Sequence, residues 1–223
     1  MTSYSLVALV PMRHHSERVP GKNFRELNGR PLYMYILDTL RRVEEIELVV
    51  VDTDSKVLRD GIHSDYPEVQ LIERPERLAL DTTPMNDVLK HDVGIVQSDI
   101  YLQTHSTNPM LRAQTIQSAL GAFREGLPDR DSLFGVTKLQ TRLWDSDSTP
   151  INHDPAVLMR TQDLKPVFEE NSCLYLFKRE IFLDLGNRIG KTPLLYEIDA
   201  GEAVDLDNEQ DFQLADLALR LQG

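Results

Sequence analysis

The chain has 223 residues, 41% hydrophobic and 27% charged, with 36 acidic side chains against 24 lysines and arginines and a net charge of −12. That length and composition suit one sizeable globular domain and exclude a disordered or fibrous chain. The acidic balance also excludes a general nucleic-acid binder, whose affinity comes from neutralising phosphates, so any bound anion must meet a local basic cluster.

The single cysteine, Cys173, rules out an internal disulfide and reads as a small buried hydrophobe in "NSCLYLF". No run reaches the roughly 18 apolar residues of a membrane-spanning helix. The opening "MTSYSLVALV" has no charged segment ahead of its apolar run, so the expected compartment is the cytoplasm.

Along the chain, short apolar runs predict strands at 5–10, 46–52, 69–73, 99–103, 132–138 and 172–177. Between the first two, Pro31 opens "PLYMYILDTLRRV", where Leu32, Tyr35, Ile36, Leu40 and Val43 recur at helical spacing. Further helices are expected at 84–97, 112–124, 178–185 and 208–221. This alternation is the pattern of βαβ units, hence an α/β fold with a mostly parallel sheet in one domain spanning 1–223. Residues 140–170, "QTRLWDSDSTPINHDPAVLMRTQDLKPVFEE" in the main, break the rhythm with prolines and polar residues. They read as an insertion, with a substrate lid, a subunit contact and a plain solvent excursion all open. Trp144 reads as its packing anchor.

The loop after the first strand, "PMRHHSERVPGK", holds Arg13, Arg18 and Lys22, with Ser16 and Gly21 among them. In an open parallel sheet, ligands sit beyond the carboxyl ends of the strands. Three cations there can make charge-assisted hydrogen bonds to phosphates, with Gly21 letting the backbone approach. A solvated loop is the plain alternative, since neither a Walker loop nor a GxGxxG motif is present. His14 and His15 are read as solvated or packed rather than as metal ligands.

In "AVDLDNE", Asp205 and Asp207 alternate with Val204 and Leu206, so on an extended segment both carboxylates face one side. They could share one hard cation with substrate phosphates, or merely favour the start of the helix at 208. Asp52 and Asp54 in "VVVDTDSK" repeat the spacing and form a secondary metal or base candidate, with a turn and an N-cap as the alternative.

The stretch "VPMRHHSERVPGKNFRELNGRPLYMYIL" resembles the opening signature of the acylneuraminate cytidylyltransferases, or CMP-sialic acid synthetases, approximately "PARxGSKGxPxKNxxxLxGxPL". It is also similar to the KDO cytidylyltransferases, whose "RxxSxRxPGK" is met by Arg13, Ser16, Arg18, Pro20, Gly21 and Lys22. Four later segments resemble the sialic-acid enzymes in order: "ERPERLALDTT", "YLQTHSTNPMLR", "RTQDLKPVFEENSCLYLFKRE" and "AVDLDNEQDFQLAD". Among the departures, His14 and His15 replace a small residue and glycine, and Ser172 and Cys173 replace Gly-Ala.

The resemblance implies a Rossmann-like three-layer α/β/α fold of the nucleotide-diphospho-sugar transferase type. It implies CMP transfer from CTP to the anomeric hydroxyl of a sialic-acid-like 2-keto sugar acid, with Mg²⁺ held by Asp205 and Asp207. Arg13, Lys22, Asp205 and Asp207 would be catalytic. Arg13, Ser16, Arg18, Lys22, Asn23, Arg74 and Thr82 would bind the nucleotide, and Gln103, Arg160 and Gln162 the sugar. A homodimer through 140–170 is expected, with neither nucleic acid nor membrane as partner. The alternatives are a KDO-type cytidylyltransferase and a non-catalytic nucleotide-binding homologue with a regulatory or scaffold role.

Overall fold

The computed structural model describes residues 4–222. Its centre is a seven-stranded sheet made of β1 (Leu6–Leu9), β4 (Leu48–Thr53), β5 (Gln70–Glu73), β6 (Ile100–Thr104), β7 (Ser132–Leu139), β8 (Val167–Lys178) and β9 (Pro193–Glu197), in the order β5-β4-β1-β6-β8-β7-β9. Only β8 runs antiparallel to its neighbours; every other pairing is parallel. A separate two-stranded hairpin, β2 (Glu26–Leu27) and β3 (Arg30–Pro31), leads into α1 (Leu32–Leu40).

The layers follow from alternation. In β1, Leu6 and Ala8 join a core with Ile36 and Leu37 of α1, Leu58 and Ile62 of α2 (Lys56–Asp65), and Ile116 and Phe123 of α4 (Ala113–Gly126). Val7 and Leu9 point oppositely, to Leu89 and Val93 of α3 (Met85–Ile95) and Phe182 of α5 (Arg179–Leu185). Covered on both faces, β1 had to be a continuous apolar run. The fold is therefore the expected three-layer α/β/α arrangement with a mostly parallel sheet.

The β2–β3 hairpin, helix α2 and strand β9 went unread in the sequence. Helix α2 is short and polar, with only Leu58 and Ile62 buried, and it starts because Ser55 Oγ accepts from the Leu58 N–H at 3.3 Å. Strand β9 opens on Pro193 and lies at the sheet edge, where a missing N–H costs no ladder bond. The irregular stretch also ends earlier than expected, because β8 begins at Val167.

The last helix, α6 (Glu209–Gln222), reaches back across the fold. Leu206, Phe212 and Ala215 pack against Val19, Leu27 and Leu32. Burying a side chain such as Phe212 contributes on the order of 2 kcal/mol. This small core fastens the C-terminal acidic segment to the basic loop near the N-terminus. No helix among the described residues is long and apolar enough to cross a membrane.

Candidate active site

A cleft of about 390 Å³ opens beyond the carboxyl ends of β1 and β6, where the chain turns from one side of β1 to the other, the usual place for a ligand in an open α/β sheet. One wall is the loop leaving β1. Its backbone stays beside β4, with Val10 and Met12 donating to the Val50 and Asp52 carbonyls at 2.9 Å each. Asn23 braces it from inside. Its amide donates to the Arg13 carbonyl at 2.7 Å and accepts from Ser106 Oγ at 2.5 Å. Arg13, Ser16, Arg18, Lys22 and Asn23 all line the cleft. Gly21 also has a local backbone task. At φ +68° it starts the 3-10 turn Lys22–Phe24, and a Cβ there would stand 2.7 Å from the Phe24 ring.

Opposite the loop lies the acidic segment. Leu206 is buried in the small core and donates its N–H to the Thr107 carbonyl at 2.9 Å, leaving Asp205 and Asp207 to line the cleft. Capping of α6 falls to other residues. Asn208 Oδ1 accepts from the Gln210 and Asp211 N–H groups at 2.9 and 3.1 Å, and Asp211 reaches back to the N–H groups of Asp207 and Asn208 at 2.8 Å each. Asp207 accepts from Arg18 at 2.8 Å and from Lys22 at 3.2 Å. Lys22, its side chain only 11% exposed, also donates to the Leu206 carbonyl at 2.8 Å. Residues about 185 positions apart in sequence thus meet as an ion-paired set. Burial raises the pKa of Asp205, with Asp207 adding to the shift, and Asp205 Oδ1 is buried with no hydrogen-bond partner.

The far wall comes from β6, β8 and the loop after α5. Gln103 is fully buried behind the lining. Its amide nitrogen lies 3.1 Å from the Thr104 carbonyl and 2.9 Å from His105 Nε2, and its carbonyl accepts from Arg188. His105 and Arg188 themselves line the cleft. Burial, then the Arg188 and Lys22 charges, push His105 down to about 3, so the imidazole is neutral and accepts from Gln103. Ser172, also in the lining, has φ +59°. That left-handed backbone explains why glycine suits the position in the resembling enzymes. Its neighbour Cys173 is buried in the core, and burial pushes its thiol up to about 12, which makes it inert.

Arg74 enters the cleft from the end of β5, donating through Nε and Nη2 to the Asp52 carboxylate and carbonyl. Asp52 and Asp54 do not act as a pair. Asp54 accepts the His14 N–H at 2.7 Å, while Asp52 is buried beside His91 and Asp92, whose ligand atoms lie within 4.8 Å of one another. Burial, then the Asp52 charge, raises Asp92 to about 9. A neutral Asp92 can donate to Asp52 Oδ2, which accepts no other hydrogen bond and has His91 Nδ1 3.7 Å away. The cluster thus pairs two buried carboxyl groups beside His91, with Arg74 bonded to Asp52.

Several residues fall elsewhere than the sequence suggested. Thr82 is exposed and outside the lining, which takes its neighbours Asp81 and Thr83 instead; Asp81 pairs with Arg13 at 2.5 Å. Arg160 and Gln162 are exposed on the irregular segment, away from the cleft of their own chain, and Arg160 bonds Asp163 at 2.7 and 3.2 Å. Trp144 is 50% exposed, edge-on to His153, and anchors no core. Conversely, His105, Arg188 and Asp81 went unread. Arg188 sits in "GNRIGK", a glycine-flanked loop with neither periodicity nor motif.

A model of the cytidylyltransferase family matches residues 7–220. The chain is 24% identical over 216 residues to the N-acylneuraminate cytidylyltransferase of Escherichia coli O18:K1:H7, covering 94% of this chain but only 51% of that one. It is 25% identical over 232 residues to the CMP-N,N'-diacetyllegionaminic acid synthase of Legionella pneumophila, covering 97% of each. The backbone is similar to that of a CMP:2-keto-3-deoxy-manno-octonic acid synthetase complexed with CTP, with a TM-score of 0.72, 14% identity and coverage of 98% and 100%. The chain belongs to the cytidylyltransferase family and is a nucleotidyltransferase.

Proposed function

We propose that the chain transfers a cytidylyl group from CTP to the anomeric hydroxyl of a sialic-acid-like, nonulosonic 2-keto sugar acid and releases pyrophosphate. The observation that carries this reading is the meeting of Lys22 and Arg18 with Asp207, beside Asp205, across one cleft. In the reaction the hydroxyl oxygen forms a bond to the α-phosphorus. The bond from that phosphorus to the oxygen bridging to the β-phosphate breaks, pyrophosphate takes the electron pair, and the hydroxyl proton passes to solvent. Such transfers depend on positioning and charge stabilisation, without a covalent nucleophile. Arg13, Arg18 and Lys22 exchange their present carboxylate partners for phosphate oxygens, and Arg74 contacts the nucleotide from the β5 side.

The donor set fits magnesium. Asp205 Oδ1 is a buried carboxylate oxygen without a partner, Asp207 stands two residues on, and one or two carboxylates plus substrate phosphates are this ion's usual ligands. When bound there, magnesium supplies charge neutralisation on the phosphates.

The sugar class rests on the ordered segments of the sequence and on the relatives named above. A KDO-type acceptor is the second reading, favoured by Arg18 with Pro20, Gly21 and Lys22 and by the backbone likeness to the octonic acid synthetase. The segment 140–166 leaves Trp144, Ile151, Val157, Leu158 and Met159 exposed, which supports a homodimer formed through it. A second subunit would then bring Arg160 and Gln162 towards sugar.

The deciding experiment is pyrophosphate release from CTP with Mg²⁺, using N-acetylneuraminate, N,N'-diacetyllegionaminate, KDO and no sugar, with ATP, GTP and UTP as controls. Release is expected only with CTP plus a sugar acid. Absence of both turnover and calorimetric CTP binding would overturn the reading.

A further inference from the structure

The cations of the cleft differ in how their charge is met. Arg13 pairs with Asp81, Arg18 and Lys22 with Asp207, and Arg74 with Asp52. Arg188 alone among these five has no carboxylate within ion-pair distance among the described residues. Its guanidinium carbon lies 3.5 Å over the Tyr175 ring centroid, so one face is covered and the donors are left at its edge. Gln103 takes one donor, out of five in a guanidinium. Burial lowers the Arg188 pKa, more than Tyr175 and the charge of Glu170 raise it, the direction expected of a desolvated cation without a carboxylate in direct contact.

The side chain is also held in place. The Arg188 N–H faces Asn86 Oδ1 at 3.4 Å, Asn86 donates to Asn187 Oδ1 at 3.2 Å, and the Gly190 N–H donates to Ser132 Oγ at 2.8 Å. Its loop is thereby tied to both α3 and β7. Tyr175 is fixed in turn: its hydroxyl donates to Glu170 and can accept from Ser172 Oγ at 3.3 Å. A rigid, planar, partly desolvated fork in a cleft is preorganised for a planar anion that binds through two oxygens.

We propose that Arg188, stacked on Tyr175 and oriented by Gln103, receives the carboxylate of the sugar acid and makes this chain select acidic over neutral acceptors. The inference rests on the cytidylyl-transfer reading and assigns it a specificity-determining residue. The triphosphate has its own cations on the β1 wall, whereas Arg188 lies on the β6 and β8 wall with the side chain of Gln103 behind it.

The test compares N-acetylneuraminate, N,N'-diacetyllegionaminate and KDO with the C1 methyl ester of each, in wild type, Arg188→Gln and Arg188→Lys, following pyrophosphate release. The wild type is expected to prefer each acid it uses over its ester. Arg188→Gln is expected to lose about 100-fold in kcat/KM for the acid, the scale of a truncated buried charge pair. The ester rate and the KM for CTP stay within about twofold, since neither uses the lost charge. Arg188→Lys, keeping the charge without the fork, falls between, and carries the test should the glutamine variant unfold. An undiminished preference for acid over ester in either folded variant overturns the proposal, as does a loss confined to CTP. If the wild type turned over none of the acids, the transfer reading would fall, while calorimetric binding of the same acids to wild type and variant would still decide the role of Arg188.

Discussion

The cleft and the segment 140–166 are both loop-rich and polar, yet they are held in opposite ways. The loops of the cleft are joined by contacts that span the chain: Lys22 to Asp207, Asn23 to Ser106, Arg25 to Glu209, and beneath them Val19, Leu27, Leu206 and Phe212 in one apolar cluster. The bonds of 140–166 are mostly local. Asp145 accepts from the N–H groups of Asp147 and Thr149, Arg160 pairs with Asp163, and Asn152 reaches Thr141 and Lys165. Leu164 is buried, but Trp144, Ile151, Val157, Leu158 and Met159 face outward, with Leu158 91% exposed. A loop whose apolar residues are buried in its own chain can position charges without help, whereas one that exposes them has burial still to gain from another surface.

The largest effect expected from breaking the cleft side of this contrast is that of Asp207→Ala. Loss of the carboxylate that faces Arg18 and Lys22 should lower turnover by about 10²–10³-fold, the scale of removing one electrostatic contributor to a transition state. The unfolding midpoint should move little, because Arg18 is exposed, Asp207 is partly exposed, and such pairs contribute little to stability. A variant that unfolds at the wild-type midpoint yet keeps its activity would remove Asp207 from the chemistry. Lys22→Ala should follow, with about a tenfold to hundredfold loss in kcat/KM for CTP, read from steady-state kinetics with the sugar saturating. Unchanged CTP kinetics would mean that the β1 loop does not hold phosphate.

On the other side, Leu158→Asp tests whether the exposed segment seeks a partner. Light scattering at micromolar concentration should give a dimer mass for the wild type. The variant should dissociate about tenfold more readily or beyond, as expected from losing one buried leucine. A monomeric wild type would end that proposal.

The smallest effect concerns the buried pair under Arg74. Asp92 titrates near 9 when folded, against 3.8 ordinarily. Between those values the folded chain keeps a proton that the unfolded chain has released, so this group makes stability fall as pH rises from about 4 towards 9. Asp92→Asn fixes the neutral form and should flatten that slope, gaining on the wild type in thermal unfolding from pH 5 to pH 8. Parallel profiles would show that Asp92 is not the proton holder.

Much of the cleft could be read from the chain because its residues obey local rules. Arg13, Arg18 and Lys22 follow an apolar strand, and Asp205 and Asp207 alternate with Val204 and Leu206; strand position and period-two spacing are visible without coordinates. Helix α2 escaped because its apolar face is only two buried residues deep, and β9 because its first residue is proline. Arg188 and His105 escaped for a different reason. Each is one polar residue in a loop, and its importance comes from what lies across the cleft. The Asp52 and Asp54 spacing misled because β4 ends between them, one carboxylate turning into the core and the other to the backbone of the β1 loop.

The sequence by itself determined the alternation of buried strands and amphipathic helices, the charged loop after β1 and the acidic pair near the C-terminus, because these depend on the period of the backbone and on side-chain chemistry. Only the tertiary structure decided that the two charged segments share one cleft, that Arg188 lies in it without an ion-pair partner among the described residues, and that Arg160 and Gln162 lie outside it. Those outcomes depend on long-range packing, above all of α6 against the β1 loop and of the loop after α5 against α3, and no spacing along the chain encodes such a meeting.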